Sequence, residues 1–228
     1  MALTPPKFAP TPNHYIKICG ITQTAQAHAI ARMGVHALGF ICVLSSPRYV
    51  DSEQIRLITY QLPPQIDRIG VFMDASFSEI CATVEQSGLN GIQLHGTESP
   101  HLCHQLREYF PKIKLIKAFR LQNPEGLTQT AFYENWVDAI LLDAYDPHQG
   151  GGTGKTIDWS ILEDFRPNCP WWLAGGLSPD NVQRAIAQIH PQGLDISSGV
   201  EISPGNKDLN KVQRFIDGVR AAETLVNF

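Results

Sequence analysis

Side chains that can move protons stand at the ends of several short apolar segments of this 228-residue sequence. Cys19 closes the segment HYIKIC, His95 closes GIQLH, Asp143 lies near the end of DAILLDA, and Asp195 lies in GLDISSG. Thiols, imidazoles and carboxylates act in proteins as nucleophiles, general acids and general bases. A purely structural set of strand ends would not need all four, so we expect these residues to surround a site of proton transfer.

Eight such apolar segments are predicted strands, and amphipathic stretches between them are predicted helices. The strands are expected at 14–19, 36–42, 67–73, 91–95, 112–119, 138–144, 171–176 and 193–199. The helices are expected at 22–34, 51–62, 76–88, 98–110, 178–189 and 207–226, with weaker ones near 125–135 and 158–165. Thr22 or Thr24 is expected to cap the first helix, and Asp51 and Ser52 open the second. Continuously apolar strands that alternate with helices are typical of a parallel sheet covered by helices.

The rhythm of these elements predicts the fold class. Eight strand–helix repeats with a period of roughly 25 to 30 residues are typical of the (β/α)8 barrel. We therefore predict an α/β protein with a single (β/α)8 TIM barrel at 14–228, preceded by a disordered proline-rich lead at 1–13. An open doubly wound sheet is the alternative, but the turn that follows Cys19 lacks the G-x-G-x-x-G pattern usual in such sheets.

Glycines and hydroxyls follow the last two predicted strands. Gly175 and Gly176 lie in LAGGL, and Ser198 and Gly199 lie in DISSG. Barrel enzymes carry their active sites at the carboxyl ends of the strands, and they often bind phosphate through backbone N–H groups after strands 7 and 8. Tight turns would also explain the glycines, but two such loops on adjacent strands favour a phosphate site.

The segment QGGGTGKT at 149–156 resembles a nucleotide-binding P-loop at first sight. The pattern G-x-x-x-x-G-K-[ST] requires a glycine where this sequence has Gln149. Further residues also separate the segment from the strand that ends near Asp143. We therefore interpret it as a flexible loop that covers the neighbouring site.

The composition excludes several classes of function. The formal net charge of −4 and the scattered Lys and Arg residues give no reason to expect nucleic acid, and no apolar stretch reaches the length of a membrane span. Five irregularly spaced cysteines without C-x-x-C argue against a disulfide framework and a zinc site, so reduced thiols in the cytoplasm are expected. His101 and His104 have a metal-ligand spacing but no evident third ligand, so no metal is predicted.

Seven segments together resemble phosphoribosylanthranilate isomerase, an enzyme family of the tryptophan pathway. They are KICGIT (17–22), GFICVLSSPRYV (39–50), GVFMD (70–74), GIQLHG (91–96), LLDAYDPHQGGGTGKTIDW (141–159), LAGGLSPDNV (173–182) and DISSGVEISPGNKD (195–208). They follow the order of the family, and the resemblance extends from about residue 14 to the end of the chain.

The resemblance implies an isomerase that converts N-(5'-phosphoribosyl)anthranilate to 1-(2-carboxyphenylamino)-1-deoxyribulose 5-phosphate by an Amadori rearrangement. It implies that Cys19 is the general base and Asp143 the general acid, with no cofactor and no metal. It also implies that Arg48 pairs with the anthranilate carboxylate and that His95 and Asp195 line the substrate. The only partner expected is this small molecule, bound by a monomer or a homodimer.

Each implied role requires a particular environment. Cys19 requires a nearby positive potential, because only a thiolate can act as a base. Asp143 requires an apolar setting or a neighbouring negative charge, because a general acid must hold its proton. On the residues alone, Cys19 is equally well explained as a small buried side chain, and Asp143 as a cap. Lys17 is predicted to point into the barrel, where it would steady the interior or the active-site field.

Two other kinds of function remain open on the residues alone. A different phosphosugar enzyme of the same fold would use an Asp at the end of the first strand, or catalytic lysines and a glutamate, and Cys19 argues against both. A phosphometabolite-binding sensor without catalysis would keep the phosphate loops, but it would not need both Cys19 and Asp143.

Overall fold

A computed structural model describes residues 14–121, 124–143 and 159–226 of the chain. The predicted disordered lead at 1–13 and the glycine-rich loop at 149–156 lie outside the described residues. The described residues form a closed barrel of parallel strands, in which neighbouring strands pair in sequence order and the last strand pairs with the first. The predicted (β/α)8 TIM barrel is confirmed.

The elements follow one another as strand and helix around the barrel. The barrel strands are β1 (Tyr15–Cys19), β2 (Ala37–Ile41), β3 (Asp67–Phe72), β4 (Gly91–Leu94), β5 (Lys114–Arg120), β6 (Ala139–Asp143), β7 (Trp171–Ala174) and β8 (Gly193–Ile196). The α-helices are α1 (Thr24–Arg32), α2 (Ser52–Thr59), α3 (Phe77–Ser87), α4 (Pro100–Tyr109), α5 (Val182–Ile189) and α6 (Leu209–Val226). The weaker predicted helices are 3-10 helices at Pro124–Phe132 and Trp159–Leu162. No helix in the described ranges is both long and apolar enough to cross a membrane.

A short antiparallel hairpin follows β8 and was not predicted. Its strands are β9 (Glu201–Ser203) and β10 (Asn206–Lys207). The turn between them contains Pro204 and Gly205, and Gly205 has a φ of +78°. Proline followed by a glycine of positive φ is typical of a type II turn. The hairpin brings β10 back toward the loop that follows β1, where Thr22 Oγ1 donates a hydrogen bond of 2.6 Å to the carbonyl oxygen of Gly205.

Side chains alternate between two apolar layers along each strand. Outward-facing residues such as Ile18, Phe40 and Leu142 pack in the main core. Inward-facing residues fill the barrel with a second cluster, which consists of Ala37, Ile69, Ile116, Ala118, Ala139, Leu141, Trp172 and Ala174. Since this cluster closes the interior, a ligand is confined to a mouth of the barrel.

The start of α2 agrees with the local sequence, whereas the start of α1 does not. Asp51 forms the predicted cap of α2 and accepts a hydrogen bond from the backbone of the third helical residue. The prediction that Thr22 or Thr24 caps α1 was wrong. Gln23 is the N-cap residue and makes no side-chain capping bond, and the Thr22 hydroxyl donates instead to the Gly205 carbonyl in the β9–β10 turn.

The last two barrel strands end earlier than predicted. β7 ends at Ala174 because Gly175 and Gly176 have φ angles of +83° and +65°, which lie outside the strand region. β8 ends at Ile196, and a 3-10 helix at Ser198–Val200 follows it. The glycines and hydroxyls of these two segments are therefore loop residues at the barrel mouth.

Candidate active site

The carboxyl ends of the strands bring the predicted site residues to one mouth of the barrel. Cys19 is the last residue of β1, Asp143 is the last residue of β6, and His95 directly follows β4. Asp195 lies within β8, and Arg48 lies in the loop between β2 and α2. Three polar clusters form from these residues, one around Cys19, one around Asp143 and one around Arg48.

The first cluster places a cation beside the Cys19 thiol. Lys17 lies two positions earlier on the same inward face of β1, and its Nζ donates hydrogen bonds of 2.9 Å to both oxygens of Asp195 on β8. All three side chains are buried. Gly39 on β2 makes room for them, because a Cβ at this position would lie 2.7 Å from the Sγ of Cys19 and 2.9 Å from the Nζ of Lys17.

Burial and charge act in opposite directions on these groups. Burial raises the pKa of the Cys19 thiol above its ordinary value, while Lys17 and, more weakly, Lys207 lower it. Burial lowers the pKa of Lys17, but Asp195 and Cys19 together raise it above its usual value. The expected positive potential is therefore present, although burial outweighs it at the thiol. In the free protein the thiol is mainly protonated at neutral pH, and the thiolate fraction grows as the pH rises.

The second cluster links Asp143 to β4. His95 Nε2 lies 3.3 Å from Asp143 Oδ2, and Gln93 Nε2 lies 3.0 Å from His95 Nδ1. When the Gln93 amide donates to Nδ1, the proton of a neutral imidazole is on Nε2 and points at Asp143. Asp143 Oδ1 is buried without a hydrogen-bond partner in the described part of the chain. Asp143 thus has one carboxylate oxygen that faces His95 and a second that makes no hydrogen bond within the described ranges.

The third cluster surrounds Arg48. Glu201 of β9 accepts hydrogen bonds from Arg48 Nε at 2.9 and 3.1 Å and from Arg48 Nη2 at 2.6 Å. Lys207 Nζ and the Gly205 N–H donate to Glu201 Oε1 at 2.8 and 3.1 Å. Burial raises the pKa of Glu201, but the bonds from Arg48 and Lys207 outweigh it and lower the pKa to about 2. Burial lowers the pKa of Lys207, and Glu201 opposes that effect.

The loops after β7 and β8 meet at the predicted phosphate site. Gly199 packs against Leu177, since a Cβ at position 199 would overlap the carbonyl oxygen of Leu177. The first N–H groups of the 3-10 helix at Ser198–Val200 have no acceptor within that helix. Asn181 orders the other loop, because its side chain donates to the Gly176 carbonyl at 2.9 Å and accepts from the Ser178 N–H at 2.8 Å.

The helix that was expected to start near Pro179 starts three residues later. α5 begins at Val182, whose N–H donates to the Ser178 carbonyl at 3.2 Å. A turn therefore precedes the helix, and the glycines Gly175 and Gly176 are separated from its first residue by this turn. Ser198 and Gly199, by contrast, lie within the 3-10 helix that follows β8.

No role was predicted from the sequence for Gln93, Glu201 or Lys207. Gln93 is an inward-facing amide between two apolar neighbours of β4, and this alternation was a usable signal. Glu201 and Lys207 flank a Pro-Gly pair, which marks a turn and thus a hairpin that brings the two residues together. No cluster of three or more His, Cys, Asp or Glu side chains in the described ranges is suited to hold a metal ion.

Comparison with known proteins assigns the chain to a family. The family model described as N-(5'phosphoribosyl)anthranilate (PRA) isomerase matches residues 16–218. The chain belongs to this family. A relative from Nostoc punctiforme, named N-(5'-phosphoribosyl)anthranilate isomerase, is 54% identical over 208 residues, which cover 91% of this chain and 99% of the relative.

Solved structures of the phosphoribosylanthranilate isomerase family have the same fold. The enzyme from Thermotoga maritima is 37% identical to this chain, with a TM-score of 0.84 over 91% of this chain and 99% of the other. A second structure contains reduced 1-(o-carboxyphenylamino)-1-deoxyribulose 5-phosphate; it is 35% identical, with a TM-score of 0.79 and the same coverage of both chains. The family membership predicted from the sequence motifs is confirmed, and the chain is an isomerase of tryptophan biosynthesis.

Proposed function

We propose that this chain converts N-(5'-phosphoribosyl)anthranilate to 1-(2-carboxyphenylamino)-1-deoxyribulose 5-phosphate, with Asp143 as general acid and Cys19 as general base. The observation that carries the proposal is the placement of these two groups at one barrel mouth in different surroundings. Asp143 has one buried oxygen without a partner in the described ranges, and Cys19 lies beside the Lys17 ammonium. A family structure that contains the reduced product analogue supports the same substrate class.

The first step opens the sugar ring. A proton passes from Asp143 to the furanose ring oxygen, the bond between this oxygen and C1 breaks, and the nitrogen lone pair forms the C1–N double bond of a Schiff base. The Asp143 carboxylate that results is stabilised by the N–H of His95, which lies 3.3 Å from Oδ2. A hydrogen bond that strengthens as charge develops lowers the barrier of this step.

The second step moves the proton at C2. The Cys19 thiolate removes this proton, the C–H electron pair forms the C1–C2 double bond, and the nitrogen regains its lone pair. The enolamine then tautomerises to the ketone product. Lys17 stabilises the thiolate before the transfer, and the buried Asp195 keeps this lysine in place.

The remaining predicted residues bind the substrate. Arg48 pairs with the anthranilate carboxylate, and Asp195 lies along the ribose beside Lys17. Gly175, Gly176, Ser198 and Gly199 hold the phosphate through N–H groups and a hydroxyl. We propose no cofactor and no metal, the cytoplasm as location, and a monomer or homodimer as the assembly.

The test is a fluorescence assay in which phosphoribosylanthranilate is generated in situ and its emission decays. We expect the parent protein to remove the signal, and we expect Cys19→Ser and Asp143→Asn each to lower kcat at least about hundredfold, the usual range for a lost general acid or base. Cys169→Ser is the matched control, because Cys169 precedes β7 at the opposite end of that strand. Activity of Cys19→Ser within about tenfold of the parent would overturn the base assignment.

A further inference from the structure

We propose that Glu201 is a specificity-positioning residue, which together with Lys207 fixes the Arg48 guanidinium so that one edge of it is presented to the substrate carboxylate. The proposal rests on the proposed function and deepens it. Glu201 touches no reacting atom, and it acts through Arg48.

Glu201 accepts hydrogen bonds from one edge of the Arg48 guanidinium and makes none with a second edge. Its carboxylate accepts from Nε and Nη2 of Arg48. A guanidinium has five N–H groups, so both N–H groups of Nη1 and one of Nη2 point away from Glu201. The remaining N–H of Nη2 and one N–H of Nη1 are parallel, and they form a second edge with the spacing that a carboxylate accepts through two hydrogen bonds.

The orientation of this edge is fixed from inside the protein. The Glu201 side chain is 4% exposed, and that of Lys207 is fully buried, whereas Arg48 is 22% exposed. Lys207 and the Gly205 N–H hold Glu201, and Glu201 holds Arg48. Arg48, the most exposed of the three side chains, is therefore anchored by two buried side chains. The conformational entropy of Arg48 is lost on folding and not again on binding, so a preorganised edge binds a carboxylate more tightly than a mobile arginine does.

The cluster lies directly against the turn that follows the proposed base. Gly20 comes after Cys19 and has a φ of +77°, and a Cβ there would lie 2.7 Å from Arg48 Cδ and 3.4 Å from Lys207 Nζ. A carboxylate bound to Arg48 is therefore held on the side of the barrel mouth where the turn after Cys19 lies. Glu201 in this way couples recognition of the carboxylate to the position of the reacting carbons.

Charge and geometry can be separated by a double variant. Arg48, Lys207 and Glu201 together carry one net positive charge. Glu201→Leu combined with Lys207→Met removes one charge of each sign, so the net charge and its attraction for an anion are unchanged while the support of Arg48 is lost. Replacement of a buried ion pair by apolar residues of similar volume is often neutral for stability, which makes the double variant preferable to either single change.

The experiment measures how much the ligand carboxylate contributes to binding. Isothermal titration calorimetry compares reduced 1-(o-carboxyphenylamino)-1-deoxyribulose 5-phosphate with the same compound lacking its carboxyl group. In the parent protein we expect the carboxylate to tighten binding by about tenfold or more, as a bidentate charged contact does. In Glu201→Leu/Lys207→Met we expect this ratio to fall toward that of Arg48→Met, while the carboxyl-free compound binds within about threefold of its parent affinity.

The controls distinguish the possible outcomes. Glu108→Gln changes an exposed glutamate of α4 and should leave the ratio unchanged. The positioning role is overturned if the ratio of the two ligand affinities is unchanged in the double variant, or if the affinity for both ligands falls equally. It is also overturned if this ratio is near one in the parent protein and Arg48→Met does not change it. If circular dichroism shows that the double variant is unfolded, Glu201→Gln replaces it, and its ratio must fall for the proposal to stand. Failure of the proposed function itself is recognised separately, by a parent protein that does not consume phosphoribosylanthranilate.

Discussion

Lys17 Nζ lies 2.9 Å from each carboxylate oxygen of Asp195, and both side chains are buried inside the barrel. The pair is electrically neutral as a whole, but its positive end faces the Cys19 thiol. Because Asp195 keeps Lys17 protonated, a fixed cation is available beside a thiol whose pKa burial would otherwise raise further. The neutral pair thus polarises the thiol without leaving an unpaired buried charge.

We predict that Lys17→Met shifts the rise of kcat/KM with pH to more alkaline values. The substitution removes the largest influence that lowers the pKa of Cys19, so a higher pH is needed to reach the same thiolate fraction. The measurement is a pH profile of kcat/KM for the parent and the variant. Lys17→Met/Asp195→Asn controls for the unpaired carboxylate and should show a smaller shift, because Asp195 raises the thiol pKa. A profile that does not move, or moves to lower pH, contradicts this role of Lys17.

We predict that His95→Leu lowers kcat by about tenfold to hundredfold and changes KM little. The reason is that His95 Nε2 lies 3.3 Å from Asp143 Oδ2 and stabilises the carboxylate left after proton transfer, an interaction that is strongest in the transition state. Steady-state kinetics separate the two constants, and His104→Leu on α4 serves as the control. A rise in KM at unchanged kcat would instead support a role for His95 in lining the substrate.

The barrel was predictable from the sequence because each strand is a local apolar segment. The alternation of Trp171 and Trp172 between the outer core and the barrel interior follows directly from strand geometry. The helix starts were predictable where a side chain caps the helix, as Asp51 does. At α1 the prediction failed because Thr22 bonds to Gly205, which is distant in the sequence. Long-range partners of this kind are invisible to a local pattern.

In the candidate site, too, local features were predictable and long-range contacts were not. The strand-end positions of Cys19, His95 and Asp143 follow from the strand assignments, so the sequence predicted where they lie. The partners of Arg48 were not predictable, because its ion pair with Glu201 spans most of the chain and depends on the short β9–β10 hairpin. The roles of these residues stay predictions.

We predict that Ser198→Asp raises KM by roughly tenfold or more, with a small effect on kcat, because a carboxylate at the first residue of the 3-10 helix repels the substrate phosphate. Ser198 is exposed, so the substitution does not disturb the core. Gly199 is less informative, since any side chain there would overlap the Leu177 carbonyl and alter the fold. Ser78→Asp on the exposed surface of α3 controls for the added charge. If KM is unchanged in Ser198→Asp and a crystal shows a sulfate ion bound elsewhere, the phosphate binds at another site.

Glu201 should make a measurable contribution to stability that depends on pH. Its pKa in the folded protein is about 2, below the ordinary value of 4.5, because the hydrogen bonds from Arg48 and Lys207 outweigh the effect of burial. A lowered pKa stabilises the folded state above the unfolded-state pKa, and this stabilisation is lost as the pH falls from about 4.5 toward 2. The shift corresponds to about 3 kcal/mol of unfolding free energy when fully present.

We therefore predict that Glu201→Gln is less stable than the parent at pH 7 and that the difference narrows by roughly 1 kcal/mol at pH 3.5, where unfolded glutamate is largely protonated. Urea unfolding at the two pH values measures the free energies. The control is Glu108→Gln, which should differ little from the parent at either pH because its partner His104 and the glutamate itself are both exposed to solvent. An equal difference between Glu201→Gln and the parent at both pH values would show that packing and not the ion pair accounts for the loss, and the charge that anchors Arg48 would then have no thermodynamic consequence.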